Sequence, residues 1–169
     1  MDDPGRPEAH YGATVAELLA VDLGLRMGHA VFDASGALLR FGSQNVGSVT
    51  RLKRAAFRMV GEVDELAALV VEGDAQLGRP WLKAAERRGA RTFAIHAQTW
   101  RPELLRETER RSGAEAKQAA DGLARALIAE RAGKGATSLR HDAAEAILIG
   151  WWGCLQLGWV EPDATPAPR

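Results

Sequence analysis

Four apolar residues in a row, Leu18, Leu19, Ala20 and Val21, run straight into an aspartate, Asp22. The run reads as a buried strand, and a lone carboxylate at its inner end is costly to bury. A metal ion is one way to offset that cost, so Asp22 is the first place to look for chemistry. Leu23 and Gly24 follow, and then His29, Ala30, Val31 and Phe32 predict a second strand. Asp33, Ala34, Ser35 and Gly36 supply turn chemistry, with Asp33 as the turn residue, because an aspartate caps its own turn and glycine tolerates positive φ. Residues 37 to 41 begin a third strand.

Beyond this meander the pattern changes. Leu52, Ala56, Met59, Val63 and Leu66 recur at three- and four-residue spacing and predict an amphipathic helix from 49 to about 68. Arg51, Arg54 and Arg58 fall on one side of it, with Lys53 nearby, either as a solvated face or as a phosphate-contacting ridge. Leu69, Val70 and Val71 form the next buried strand, closed by Glu72, Gly73 and Asp74. A helix is expected over 80–88 with Pro80 in its first turn, where a missing N–H does no harm. A fifth strand over 92–95, helices over 99–111 and 114–131, a flexible link at 133–135 and a strongly apolar helix over 141–158 complete the reading. Alternating strands and helices after an opening meander indicate an α/β fold with a mixed sheet. Residues 1–15 read as a flexible arm, 16–160 as one domain and 161–169 as a Pro-rich flexible tail.

The totals narrow the function classes. With 22 basic and 22 acidic side chains the chain is neither a basic nucleic-acid coat nor an acidic mimic, although a locally positive face is compatible with neutrality. The single cysteine, Cys154, excludes an intramolecular disulfide and a Cys-rich zinc site, and among Trp151, Trp152 and Leu155 it reads as a packed thiol. The N-terminus lacks the basic-plus-apolar layout of a signal peptide. No apolar run approaches the roughly 20 residues that span a bilayer. The expectation is a soluble, cytoplasmic protein without a membrane partner.

Acids sit in three apolar segments where core periodicity would not ask for them: Asp22, Glu72, and the pair Asp142 and Glu145. The last two are three apart and share a helical face, and Ala143, Ala144 and Ala146 around them would let that helix approach the sheet closely. If the first and fourth strands are neighbours, all four carboxylates can converge into an oxygen-rich site for Mg²⁺ or Mn²⁺. Two such ions activate water and stabilise a leaving oxygen in phosphodiester cleavage. Taken singly, each acid also has a plain role as a helix cap, a turn residue or an exposed side chain. His141, just before Asp142, either assists the metal or a scissile phosphate or simply starts the helix.

These pieces, in order, resemble the RuvC-type Holliday junction resolvases of the RNase H-like superfamily, and the phage- and plasmid-type branch most closely. The residues that carry the resemblance are LAVDLG at 19–24, VVEGD at 70–74, Thr99-Trp100-Arg101, GAEAKQAADGLARAL at 113–127 and RHDAAEAILIG at 140–150. The resemblance covers about residues 17 to 155. It implies a five-stranded mixed sheet, three antiparallel strands then two parallel, flanked by helices. It also implies a homodimer that binds branched DNA, a four-way junction, and nicks two strands with Mg²⁺ (Mn²⁺ substituting). By position, it makes Asp22, Glu72, Asp142 and Glu145 the catalytic metal ligands, and Lys117 and Arg101 contacts to DNA. Rival readings are another RNase H-like nuclease acting on a hybrid or branched nucleic acid, and a catalytically idle junction-binding protein. An actin-like or sugar-kinase-like ATP binder would need a second lobe, for which 169 residues leave no room.

Overall fold

The computed structural model describes residues 14–132 and 138–167. The link expected at 133–135 and nearly all of the N-terminal arm therefore lie outside the described residues. Five strands form one sheet: β1 (Glu17–Asp22), β2 (Arg26–Asp33), β3 (Leu38–Asn45), β4 (Leu66–Glu72) and β5 (Arg91–Ile95). Their order is β3-β2-β1-β4-β5. The first three pair antiparallel, and β4 joins β1 in parallel and is followed by β5 in parallel. This is the three-plus-two arrangement that the family resemblance implies. The Asp33 turn also forms as read, with Asp33 Oδ1 accepting from the backbone N–H groups of Ser35 (2.9 Å) and Ala37 (3.1 Å).

Helices cover both faces, which is why β1 and β4 are continuous apolar runs rather than alternating ones. Leu18, Ala20, Ala30, Phe32, Ala68 and Val70 form one core with α4 (Gly113–Arg131) and α5 (His141–Gln156). Leu19, Val21, Val31, Leu69 and Val71 form the other with α1 (Val49–Gly61) and α2 (Ala75–Glu86). The helix α5 lies tight on the sheet because Gly150 has no side chain. A Cβ there would stand 2.6 Å from Cε2 of Phe32 and 3.1 Å from Cβ of Ala20.

Three helix boundaries differ from expectation, each for a local reason. The first helix stops at Gly61 rather than running to 68, because Leu66 to Ala68 already belong to β4. Its end is closed by Arg88, whose guanidinium donates to the carbonyls of Val60, Val63 (2.5 Å) and Asp64 (2.7 Å). Asp74, not Pro80, starts α2: Oδ1 of Asp74 accepts from the N–H groups of Gln76 (2.8 Å) and Leu77 (3.1 Å), placing Pro80 in the second turn. The third helix, α3 (Ala97–Leu104), ends well before 111, and a 3-10 turn at Glu107–Glu109 leads to α4, capped by Ser112. In the segment read as a tail, a 3-10 turn at Pro162–Ala164 is fastened to the domain. Arg131 Nη2 donates to the Ala164 carbonyl (2.8 Å) and Trp151 Nε1 to Thr165 Oγ1 (2.9 Å).

Candidate functional site

One row of register partners crosses the whole sheet: Ser43, Gly28, Asp22, Glu72 and Ile95, one from each strand. It lies where the parallel strands β1, β4 and β5 finish, the end of an α/β sheet at which crevices form. Strand periodicity then decides orientation. Asp22 shares a face with Leu18 and Ala20, and Glu72 with Ala68 and Val70, so both carboxylates stand on the side covered by α5. The condition set by the sequence, that the first and fourth strands be neighbours, is met.

Helix α5 supplies the other two acids. It begins over β2, where a Cβ on Gly28 would overlap the backbone carbonyl of Asp142, so glycine at 28 is what lets the helix start there. Ser43 Oγ donates to Asp142 Oδ2 (2.7 Å) from the next strand out. One turn along, Glu145 is buried, and its Oε1 accepts from Arg101 Nη2 at 2.9 Å and lies 3.3 Å from His141 Nε2. On the far side, the fully buried Trp100 of α3 donates its indole N–H to Glu72 Oε2 (2.7 Å).

Two of the four carboxylates, Asp22 and Glu72, are raised above the ordinary carboxylate range. Burial, and then the charges of Glu145, Glu72 and Asp142, push the Asp22 carboxyl up to about 8, with only Arg101 opposing. Burial likewise raises Glu72, while the Trp100 hydrogen bond pulls the other way. Among the described residues no three His, Cys, Asp or Glu side chains stand at metal-holding spacing. Three of the four acids are instead held by neighbours: Glu72 by Trp100, Asp142 by Ser43, and Glu145 by Arg101 and His141. The donor set nevertheless fits a hard divalent cation. It is all oxygen and largely withdrawn from solvent, and burial, then the neighbouring acids, disfavours a bare charge on Asp22, which a cation would offset.

The sequence matches no family model and no curated protein. Solved structures do match. Thermus thermophilus RuvC, in a complex described as "T. thermophilus RuvC in complex with Holliday junction substrate", superposes with a TM-score of 0.56 at 14% identity, over 91% of this chain and 99% of that one. A ROK family protein from Streptococcus pneumoniae in complex with sucrose matches at a TM-score of 0.38 and 11% identity, over 66% of this chain and 38% of that one. A chain of a simian T-cell lymphotropic virus intasome complex matches at 0.34 and 9%, over 80% and 48%. The fold is RuvC-like. It is the five-stranded RNase H-like sheet with flanking helices, and the four acids stand at one end of it.

The basic residues singled out in the sequence divide between two faces. Arg101 bonds Glu145 directly and also lines a cavity of about 290 Å³ between α3 and the start of α4, with Arg110, Arg111 and Ser112. Lys117 is exposed on the early turns of α4. Arg51, Arg54 and Arg58 are exposed on α1, which packs on the opposite side of the sheet, so the fold does not bring them to the acids. Sequence reasoning did not single out Ser43 and Gly28, and gave Trp100 no role of its own in the site. Trp100 stands beside Arg101 in the quoted Thr-Trp-Arg segment. Ser43 and Gly28 join the site through strand register, which has no signature in local spacing. No helix among the described residues is long and apolar enough to cross a membrane.

Proposed function

We propose that this chain is a divalent-metal-dependent endonuclease of RuvC type that resolves four-way DNA junctions by paired nicks, acting as a homodimer. The observation that carries the reading is the register pair Asp22 and Glu72 with Asp142 and Glu145 crowded against it, on a RuvC-like fold. The complex of the similar structure with a Holliday junction supports branched DNA as the substrate class.

Asp22, Glu72, Asp142 and Glu145 would hold Mg²⁺ or Mn²⁺. When bound, such ions polarise the scissile phosphate and generate a nucleophile from water near neutral pH. The chain's own residues do the positioning. Trp100 and Ser43 orient Glu72 and Asp142, and Arg101 and His141 aim Glu145. Arg101, shared between the acids and the cavity lined by Arg110 and Arg111, offers donors to the phosphate entering the site, with Lys117 as a further contact. Hydrolysis by in-line attack of water at phosphorus expels the 3′ oxygen and leaves a 5′ phosphate.

The deciding experiment incubates a labelled mobile four-way junction, a matched duplex and an RNA/DNA hybrid with Mg²⁺. Symmetric nicks on the junction alone are the expected result. Cutting of the hybrid instead replaces the substrate class, and tight junction binding without cutting in Mg²⁺ or Mn²⁺ overturns the nuclease reading.

A further inference from the structure

The charge of this chain sums to zero, yet the segment from 34 to 61 contains Arg40, Arg51, Lys53, Arg54 and Arg58 and no acid at all. All five bases are exposed. An ordinary solvated helix face interleaves both signs and gains from i,i+4 pairs; α1 has no acid in its first turn, where the helix dipole favours one. Arg58 pairs with Glu62 (3.3 Å), just past the helix end. Among the described residues no salt bridge engages Arg40, Arg51, Lys53 or Arg54.

These bases border a depression. Between β3 and α1 lies a groove of about 450 Å³ lined by Gln44, Asn45, Val46, Arg51, Arg54 and Arg58. A smaller hollow continues it past Gln44 and Arg58 to Arg40 and His29. Arg51, Arg54 and Arg58 succeed each other at three and four residues and so form a ridge along one wall, while Gln44 and Asn45 offer amide groups on the other. Phe57, 55% exposed, projects from the same helix three residues after Arg54. Exposed arginines along a groove with an adjacent solvent-facing aromatic are what a nucleic-acid backbone with unstacked bases requires.

The position relative to the carboxylates is informative. Ser43 faces Asp142, and Gln44, the next residue on β3, faces the groove on the other side. Among the described residues no further strand lies beyond β3 in the sheet order, so the groove and the carboxylate row meet around that edge at the same end of the sheet.

We infer that the β3–α1 groove is a second nucleic-acid site, separate from the carboxylate cluster, which binds the phosphate backbone of a DNA segment flanking the cut and passing round the β3 edge. It rests on the nuclease reading for the ligand being DNA. Binding there is independent of sequence, because backbone phosphates carry no base information. The test measures affinity of the full chain for a labelled four-way junction and for linear duplex in EDTA, over a series of salt concentrations. The double variant R51Q/R54Q is expected to bind about tenfold more weakly, with a log K against log salt slope about two units shallower. Its far-UV circular dichroism and melting temperature should match wild type, since both side chains are exposed. The variant R79Q/K83Q, which removes two exposed bases from α2, should bind as wild type does. Unchanged affinity and slope in R51Q/R54Q, with cleavage of the junction intact in wild type, overturn the groove and leave the nuclease standing. A wild-type chain that binds no DNA at any salt overturns both.

Discussion

Trp100 donates its indole N–H to Oε2 of Glu72 at 2.7 Å, and both residues are buried. The bond ties α3 to the end of β4 and fixes the carboxylate that stands beside Asp22. Replacing Trp100 by Phe keeps most of the packing and removes the donor, leaving a buried carboxylate one partner short. The expected cost is about 1–3 kcal/mol of stability, together with a roughly tenfold or greater loss of Mn²⁺ affinity, as for other groups that orient metal ligands. Denaturant unfolding and titration calorimetry check the two separately. Mn²⁺ binding that is unchanged in the variant would show that Glu72 is not a ligand.

Asp22 gives a pH signature. Its carboxyl rises from 3.8 to about 8 on folding, chiefly through burial and then through Glu145, Glu72 and Asp142. Between those values the folded state binds one more proton at this site than the unfolded state, so the contribution of Asp22 to stability falls as pH rises, by at most about 1.4 kcal/mol per unit. Asp22→Asn removes the titration. In EDTA the variant should therefore melt higher than wild type at pH 8 and lose the difference toward pH 4. Mg²⁺ should raise the melting temperature of wild type at pH 8 and leave the variant nearly unmoved. Junction cutting should vanish in the variant while junction binding persists; cleavage at the normal rate would mean that the site is elsewhere.

The parts legible in the sequence were those that depend on local pattern. Continuous apolar runs marked β1 and β4 because both strands are covered on two faces, and an acid closing each run stood out against them. Asp33 and Gly36 marked the first turn because its chemistry is local. Boundaries failed where one residue satisfied two periods. Leu66 continues the α1 stripe and also opens β4, and only the cap from Arg88 and the pairing of β4 with β1 decide between them. The supporting residues of the site were illegible for a different reason. Ser43, Gly28 and Trp100 come to the acids through register and through the docking of α3, contacts between residues 28 to 114 positions apart.

Cys154 lies in the core between α5 and the sheet, and burial pushes its thiol up to about 12. A thiolate is therefore absent at ordinary pH. Reaction with a disulfide reagent at pH 8 should be negligible in the folded protein and should reach one equivalent in denaturant, since the chain has one cysteine. The raised value also makes the contribution of Cys154 to stability fall above pH 9, where the unfolded thiol ionises first. Rapid labelling of the folded chain would mean that α5 opens from the sheet.

Gly28 separates the two halves of the site and offers the sharpest structural test. It is the register partner of both Asp22 and Ser43, and the backbone of Asp142 occupies the space a side chain would need. Gly28→Ala adds one methyl group against main chain, which cannot rotate away, so the start of α5 must lift. Overpacking of this kind costs about 1–3 kcal/mol. The larger consequence is geometric, because lifting α5 carries Asp142 and Glu145 away from Asp22 and Glu72 together. The variant should remain folded by circular dichroism, lose junction cutting by well over tenfold, and hydrolyse no faster when Mg²⁺ is replaced by Mn²⁺. Gly61→Ala, at a glycine with open space around its Cβ position, should leave cutting unchanged. If Gly28→Ala cuts normally, α5 does not sit over β2 as described, and the convergence of the four acids falls with it.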